Sequence, residues 1–172
     1  MRYLLSSLVQ ITLLRKDPSV LPASRVLLLV TGTAFAAGSA MQSWLLFGDD
    51  RLLGRTAFDV GLAVGLFRVI LAVTRRGNRF RQTMSAVFGT TVLMTPLAAG
   101  LLMLQAPAQM FYGLRLFAWA GSVIVIVWYI LIVAHILRSA IQVGFVTSIA
   151  IALTWLIAGD ALLKQLFPPV SV

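Results

Sequence analysis

The chain has 172 residues, of which 60% are hydrophobic and only 11% are charged, and its mean hydropathy is +0.97. Soluble domains carry about 25% charged residues, so this composition excludes an ordinary soluble globular domain. The formal net charge is +9, from 14 Lys and Arg residues against five acidic residues. Because the basic residues lie at the ends of apolar stretches, we interpret them as membrane topology signals and expect no nucleic-acid partner.

The first predicted element is a short amphipathic helix, which with its linker forms the N-terminal segment 1–22. On a helical wheel, Arg2, Ser6 and Gln10 cluster on one face, and leucine and isoleucine residues fall opposite them. Such a helix is suited to lie in the interface plane of a bilayer. Packing of the same helix against the other helices of the chain, or on a partner, is an equally good interpretation.

Five apolar stretches of about 20 residues follow, which is the length that an α-helix needs to cross the hydrocarbon core of a bilayer. They leave no room for a soluble domain, so segment 23–172 is one membrane domain. We therefore predict an all-α integral membrane bundle of five transmembrane helices. The predicted spans are about 25–47, 56–74, 84–104, 116–137 and 144–166.

Small residues recur at helical spacing in the first two spans. Gly32, Ala36 and Ala40 form a stripe on the first span, and Gly61 and Gly65 form a GxxxG motif on the second. Both patterns favour close approach of two transmembrane helices. For the GxxxG motif we prefer packing inside the chain, and association of two chains is the alternative.

Four arginines crowd the loop after the second span, at Arg75, Arg76, Arg79 and Arg81. Such a run marks a cytoplasmic loop, and each arginine adds about 1 kcal/mol of attraction to anionic lipid. The side of the membrane that holds this loop carries nine Lys and Arg residues at its span ends, against four on the other side. We therefore expect a cytoplasmic N-terminus and an outer C-terminus in a bacterial inner membrane.

An ionisable residue inside a span is a functional candidate by default, because it costs at least about 2.5 kcal/mol at the bilayer centre. Arg68 would anchor an anionic substrate or lipid head group, or else snorkel to the cytoplasmic interface or join a structural hydrogen-bond network. Asp59 and Asp160 lie at similar depth and would form a proton or cation site. The preferred alternative places Asp59 at a helix N-terminus and pairs Asp160 with Lys164, one turn on.

The third span contains Pro96 near its middle, which predicts a kink because proline cannot donate to the helical hydrogen-bond ladder. No residue set has the spacing of a catalytic, metal-binding or phosphate-binding motif, and the chain has no Cys and one His. We therefore expect no cofactor, no metal and no enzymatic activity.

The layout resembles the bacterial branch of the Yip (Ypt-interacting-protein-like) family of five-span membrane proteins. The phrases that carry the resemblance are 78–83 before a Pro-containing third span, Val127-Trp128-Tyr129, and Leu137-Arg138. The resemblance implies a five-helix bundle with a cytoplasmic N-terminus and supplies no catalytic residues. The Asp-Leu-Tyr-Gly-Pro-type motif of eukaryotic members has no match here, so their association with small GTPases is not carried over.

Two functional hypotheses follow. The first is a non-enzymatic accessory or scaffold subunit of a membrane complex, or a homo-oligomer, whose partners are membrane lipids and other subunits or copies of itself. The second is a small transporter, channel or lipid-handling protein that uses Arg68 and the helix kinked at Pro96.

Overall fold

A computed structural model describes residues 2–47, 52–105 and 111–168, and within these ranges the regular elements are all helices. One short helix precedes five long ones, as predicted. Two 3₁₀ turns, Pro18–Val20 and Gly77–Arg79, lie in the connections. The helices are α1 (Arg2–Thr12), α2 (Arg25–Phe47), α3 (Leu52–Val73), α4 (Phe80–Gln105), α5 (Tyr112–Ile141) and α6 (Phe145–Leu166).

The five long helices have the length and apolar composition of membrane spans, which confirms the predicted fold class. In the most apolar window of each helix, only 11 to 33% of the residues are buried inside the chain. The outward faces are therefore rich in exposed leucine, valine, isoleucine and aromatic side chains. Such faces need lipid around them, so the chain is a multi-pass integral membrane protein.

The helix bounds differ from the predicted spans mainly in the middle of the chain. α2 has the predicted bounds, whereas α3 begins at Leu52 instead of about residue 56. Asp59 therefore lies seven residues into α3, and its predicted place at a helix N-terminus is wrong. α4 and α5 extend beyond the predicted spans at both ends, because polar residues continue a helix outside the apolar run. Arg51, one of the four basic residues counted on the outer side, lies outside the described residues.

α4 is the centre of the bundle and packs against α1, α2, α3 and α5. All eight residues from 83 to 90 are buried, as expected for a helical segment that is surrounded on every side. Phe88 stacks on Phe35 of α2 with the ring centroids 4.7 Å apart. This part of α4 therefore forms the core that holds α1 and α2 in place.

α1 packs against the bundle, and this was one of the two interpretations of the amphipathic pattern. Leu8 and Ile11 are buried against the core, and the side chain of Arg2 lies outside the described ones. Leu5 and Val9 face outward. α1 thus presents one apolar face to the protein and a second apolar surface to its surroundings.

The linker after α1 is tied to α4. The amide of Gln82 donates from Nε2 to the carbonyls of Ser19 and Leu21, at 2.7 and 2.5 Å. Pro18 and Leu21 are buried beneath this bridge. The N-terminal segment is consequently an integral part of the helical bundle.

Candidate functional site

A cavity of about 390 Å³ lies among the five long helices. Each helix contributes a side chain that is polar or aromatic: Gln42 from α2, Asp59 from α3, Thr91 from α4, Tyr129 from α5 and Trp155 from α6. The volume is within the range of small-molecule pockets, which are largely apolar with a few well-placed polar groups. The cavity is therefore the candidate functional site.

Asp59 supplies a charged group deep in this cavity. Its Oδ2 accepts a hydrogen bond from the hydroxyl of Ser39 on α2, at 2.5 Å. The carboxylate is half-buried, and it forms no ion pair with a basic side chain of the described residues. A carboxylate inside a span is costly and needs polar partners, and the functional role of Asp59 stays a prediction.

Aromatic rings form the walls beside the carboxylate. Phe35, Tyr129 and Trp155 line the cavity. Trp155 and Phe67 form a T-shaped pair with ring centroids 5.7 Å apart, and the Trp155 centroid lies 6.2 Å from that of Tyr129. The ring of Phe35 stacks on the ring of Phe88, which limits its movement. These contacts fix the ring positions before any ligand is bound.

Asp160 lines the same cavity, so the two carboxylates that the sequence placed at similar depth do share one site. The Asp160 carboxylate accepts from Lys164 Nζ at 2.6 Å, and both side chains are well exposed. The predicted ion pair is therefore confirmed. Exposed pairs of this kind stabilise little, about 0 to 1 kcal/mol, so Asp160 is best described as a rim residue.

Arg55 is one of the four basic residues at the outer span ends, and it is a buried residue of α3. Its side chain is 2% exposed, and Nη2 donates to the carbonyl of Phe167 at 3.1 Å. The guanidinium also lies 5.9 Å from the centroid of the Phe167 ring. Arg55 thus joins the start of α3 to the end of α6. Arg55 lies four residues before Asp59 and so on the same face of α3, and this spacing was the signal in the sequence that it lies near the cavity.

Arg68 does not line the cavity. It is exposed on α3, and its guanidinium lies 5.9 Å from the centroid of the Phe80 ring at the start of α4. The side chain therefore extends towards the end of the bundle that carries the arginine-rich loop. This geometry supports snorkelling, the second of the two interpretations of Arg68.

The GxxxG motif of α3 faces outward, so the preferred prediction that it packs inside the chain is wrong. Gly61 and Gly65 are exposed, and no atom of another described element lies within 4 Å of a Cβ added at either position. The opposite face of α3, with Ala63 and Phe67, is the buried one. Both faces of α3 are apolar, so the sequence pattern did not distinguish them.

The small-residue stripe on α2, unlike the GxxxG motif of α3, contacts another helix of the same chain at Gly32. A Cβ added at Gly32 would meet the ring of Phe88 at 3.6 Å, so this glycine lies at the α2–α4 contact as predicted. Ala36 and Ala40 are half-buried on the same helix.

Pro96 is exposed within α4, and the helix continues through it to Gln105. The predicted kink at Pro96 stays a prediction.

The arginine-rich loop divides into two pairs. Arg76 Nη2 donates to Gln142 at 2.6 Å, and Arg79 Nη1 donates to the carbonyl of Ser139 at 3.0 Å, so both hold the loop against the end of α5. Arg75 and Arg81 are exposed. Anionic-lipid binding by this loop stays a prediction, and the exposed pair is the better placed for it.

Among the described residues, no group of three or more His, Cys, Asp or Glu side chains is arranged to hold a metal ion. Comparison of the chain with protein families, with curated proteins and with solved structures finds no match. The resemblance to the Yip family therefore stays a prediction. The fold and the cavity define the class: a five-span integral membrane protein with a largely apolar cavity that contains a carboxylate among its long helices.

Proposed function

We propose that this protein is a non-enzymatic membrane subunit that associates through the outward face of α3, either with a second copy or with another subunit of a membrane complex. The observation that carries the proposal is the outward orientation of Gly61 and Gly65. In lipid, helices associate where small residues let two backbones approach closely. A GxxxG face that is unused inside the chain supports a contact with another helix.

Cysteine cross-linking tests this proposal cleanly, because the natural chain has no cysteine. Val69 is exposed close to the glycine face, and Ile124 of α5 is similarly exposed on a different helix. We expect Val69→Cys to form a cross-linked dimer or one defined hetero-adduct in native membranes, and Ile124→Cys to form neither. Equal cross-linking of both positions would show random collision.

A matched set of glycine substitutions provides the second arm. A Cβ added at Gly61, at Gly65 or at Gly100 of α4 would have no neighbouring side chain or other element within 4 Å among the described residues. Gly61→Leu and Gly65→Leu should abolish the Val69→Cys adduct, and Gly100→Leu should leave it intact. All three variants should fold, because leucine has a higher helix propensity than glycine. Persistence of the adduct in Gly65→Leu would contradict the proposal.

We also propose that the basic end of the bundle lies in the cytoplasm of a bacterium with the chain in its inner membrane, because nine of 13 span-end Lys and Arg residues are at that end. Membrane lipids are then partners at this surface. Labelling of Ser19→Cys and Pro168→Cys by a membrane-impermeant thiol reagent in intact cells tests the orientation. Both side chains are exposed and lie outside the membrane-spanning helices; only Pro168→Cys should react before the cells are opened.

A second candidate function, a small transporter or channel, is favoured by the intramembrane cavity and its carboxylate. It would use Asp59 in place of Arg68, because Arg68 lies outside the cavity lining. In proteoliposomes, Asp59→Asn should abolish flux of a cationic substrate, and Arg68→Ala should retain it. The reverse result would return Arg68 to the mechanism.

A further inference from the structure

The cavity among the five long helices combines the Asp59 carboxylate and the rim carboxylate of Asp160 with aromatic walls, and this combination has a definite chemical preference. Asp59 supplies the negative charge, and Phe35, Tyr129 and Trp155 supply ring surfaces. A cation over the face of an aromatic ring is attracted by the ring quadrupole, most strongly by tryptophan, and the attraction grows when water is excluded. A carboxylate and aromatic rings in one cavity therefore favour the same kind of ligand.

The geometry points to a binding site for a small organic ammonium ion, held by the Asp59 carboxylate and by the rings of Tyr129 and Trp155. This inference concerns the same cavity as the second candidate function but requires only binding, so it stands whether or not the protein transports its ligand. It is also independent of association through α3. The cavity volume of about 390 Å³ accommodates a molecule of several heavy atoms, far more than a single metal ion.

The polar groups around the carboxylate are already in place. Ser39 donates to Oδ2 of Asp59 and so orients the carboxylate from the α2 side. Thr91 lines the cavity on α4, and its hydroxyl is 3.5 Å from the Tyr129 hydroxyl. Rigid rings and an oriented carboxylate reduce the ordering cost of binding, which is the main way in which a small site gains affinity.

The exposed residues at the rim of the cavity indicate the route by which a ligand enters it. Asp160 and Leu163 line the cavity near the end of α6, and Asp160 is well exposed. The rim carboxylate is paired with Lys164, whereas Asp59 lies deeper and has no ion pair within 4 Å of a described residue, although the charge of Arg55 acts on it. A cation that enters from this end of the bundle therefore meets the Asp59 carboxylate as its charge partner.

Binding is measured on the full chain in lipid nanodiscs by isothermal titration calorimetry and by tryptophan fluorescence. The probes are choline and benzyltrimethylammonium, and 3,3-dimethylbutan-1-ol is the neutral molecule with the shape of choline. We expect both ammonium ions to bind and the neutral alcohol to bind at least about tenfold more weakly, because it lacks the charge that the site recognises.

Variants locate the site. Asp59→Asn should weaken ammonium binding by at least about tenfold, and Trp155→Leu by about fivefold, since the carboxylate and the ring each lose their contribution. Trp155→Phe, which keeps a ring, should lose less than Trp155→Leu, and this pair decides the question should Asp59→Asn fail to fold. Arg68→Gln, outside the cavity, should stay within about twofold of the natural chain.

Three results would overturn the inference. Equal affinity for the alcohol and choline would make the cavity a neutral apolar pocket. Undiminished ammonium binding in folded Asp59→Asn, with equal binding in the two Trp155 variants, would place the ligand elsewhere. Failure of both ammonium ions to bind, or tighter binding of Na⁺ than of either, would exclude an organic-cation site.

Discussion

The side chain of Leu8 lies directly over the backbone of Gly89, and this contact seats α1 on α4. A Cβ added to Gly89 would lie 2.6 Å from Leu8 Cδ2, which is closer than Cβ contacts in folded proteins, and 3.0 Å from Leu8 Cδ1. Gly89 therefore leaves room for the end of the Leu8 side chain, which an alanine at this position would force to move. The indole N–H of Trp128 on α5 donates to the carbonyl of Thr12 at 2.9 Å and fixes the other end of α1.

Substitution Gly89→Ala should displace α1 and destabilise the protein by about 1 to 3 kcal/mol, because it overpacks a filled contact. Leu8→Ala should also destabilise, but the double variant should lose less than the sum of the two by at least about 0.5 kcal/mol, since truncation of Leu8 makes room for the new methyl group. SDS unfolding titrations in detergent micelles measure all three. Strict additivity would show that the two residues do not share a contact.

A thiol reporter separates displacement of α1 from general destabilisation. Ser7 is fully buried beside Leu8, and the natural chain has no cysteine. Ser7→Cys should react slowly with maleimide in the natural background and faster with Gly89→Ala, whereas a cysteine at the buried position Ala152 of α6 should be equally slow in both. Faster reaction with maleimide at both cysteine positions would indicate that the whole bundle has loosened.

The linker after α1 should weaken in acid through Asp17. Burial acts to raise the Asp17 pKa, but the hydrogen bonds from Ser139 and Ser19 and the charge of His135 together lower it below its usual value of about 3.9. A lowered folded pKa contributes stability that is fully present above the unfolded value and is lost as pH falls through the folded one.

The melting temperature of the natural chain should therefore fall more steeply below about pH 4 than that of Asp17→Asn. Scans from pH 6 to the acid limit in one detergent check this, and the remaining acidic residues are common to both proteins. Parallel curves would mean that the Asp17 carboxylate does not hold the linker in solution.

Much of the fold could be predicted because apolar runs of membrane-spanning length have few alternatives in a chain of this composition. The predicted bounds of α2 match the observed ones, and the pairing of Asp160 with Lys164 followed from their spacing alone. These features depend on local sequence. They do not require knowledge of which helices are neighbours.

The site depended on information that apolar sequences do not carry. In a soluble helix the polar face marks the outside, but both faces of α3 are apolar, so nothing indicated that Gly61 would point outward. The hydrogen bond between Ser39 and Asp59 joins two helices at matching depth, and this polar pair was a usable signal. The aromatic walls of the cavity have no such signature, because tryptophan and tyrosine are ordinary residues of membrane helices.

Arg75 ends α3 in a left-handed conformation with φ of 57°, where glycine is preferred. The N–H groups of Arg75 and Arg76 donate to the carbonyls of Ala72 and Leu71, which is the hydrogen-bond pattern of a Schellman motif. Arg75→Gly should therefore stabilise the protein by about 0.5 kcal/mol, the balance of relieved strain and greater unfolded-state entropy.

Arg81→Gly is the matched control, because it also removes one exposed arginine but lies inside α4. It should destabilise by less than about 1 kcal/mol, since glycine is a poor helix former but Arg81 is only the second residue of α4. SDS unfolding titrations on both variants measure the difference. Shifts of the same sign would mean that loss of charge, and not backbone conformation, governs stability at this loop.

The two pairs of arginines in the loop should have separable roles. Arg76 and Arg79 bond to the end of α5, so replacing both by glutamine should lower the melting temperature while the exposed pair still meets lipid. Replacing Arg75 and Arg81 should instead reduce binding of phosphatidylglycerol, by up to about 2 kcal/mol in total, with little effect on melting. Native mass spectrometry of retained lipid, together with thermal unfolding, measures both quantities. If the Arg76 and Arg79 replacements reduced lipid retention as strongly at unchanged stability, all four side chains would contact lipid, and the hydrogen bonds to Gln142 and Ser139 would not hold in the bilayer.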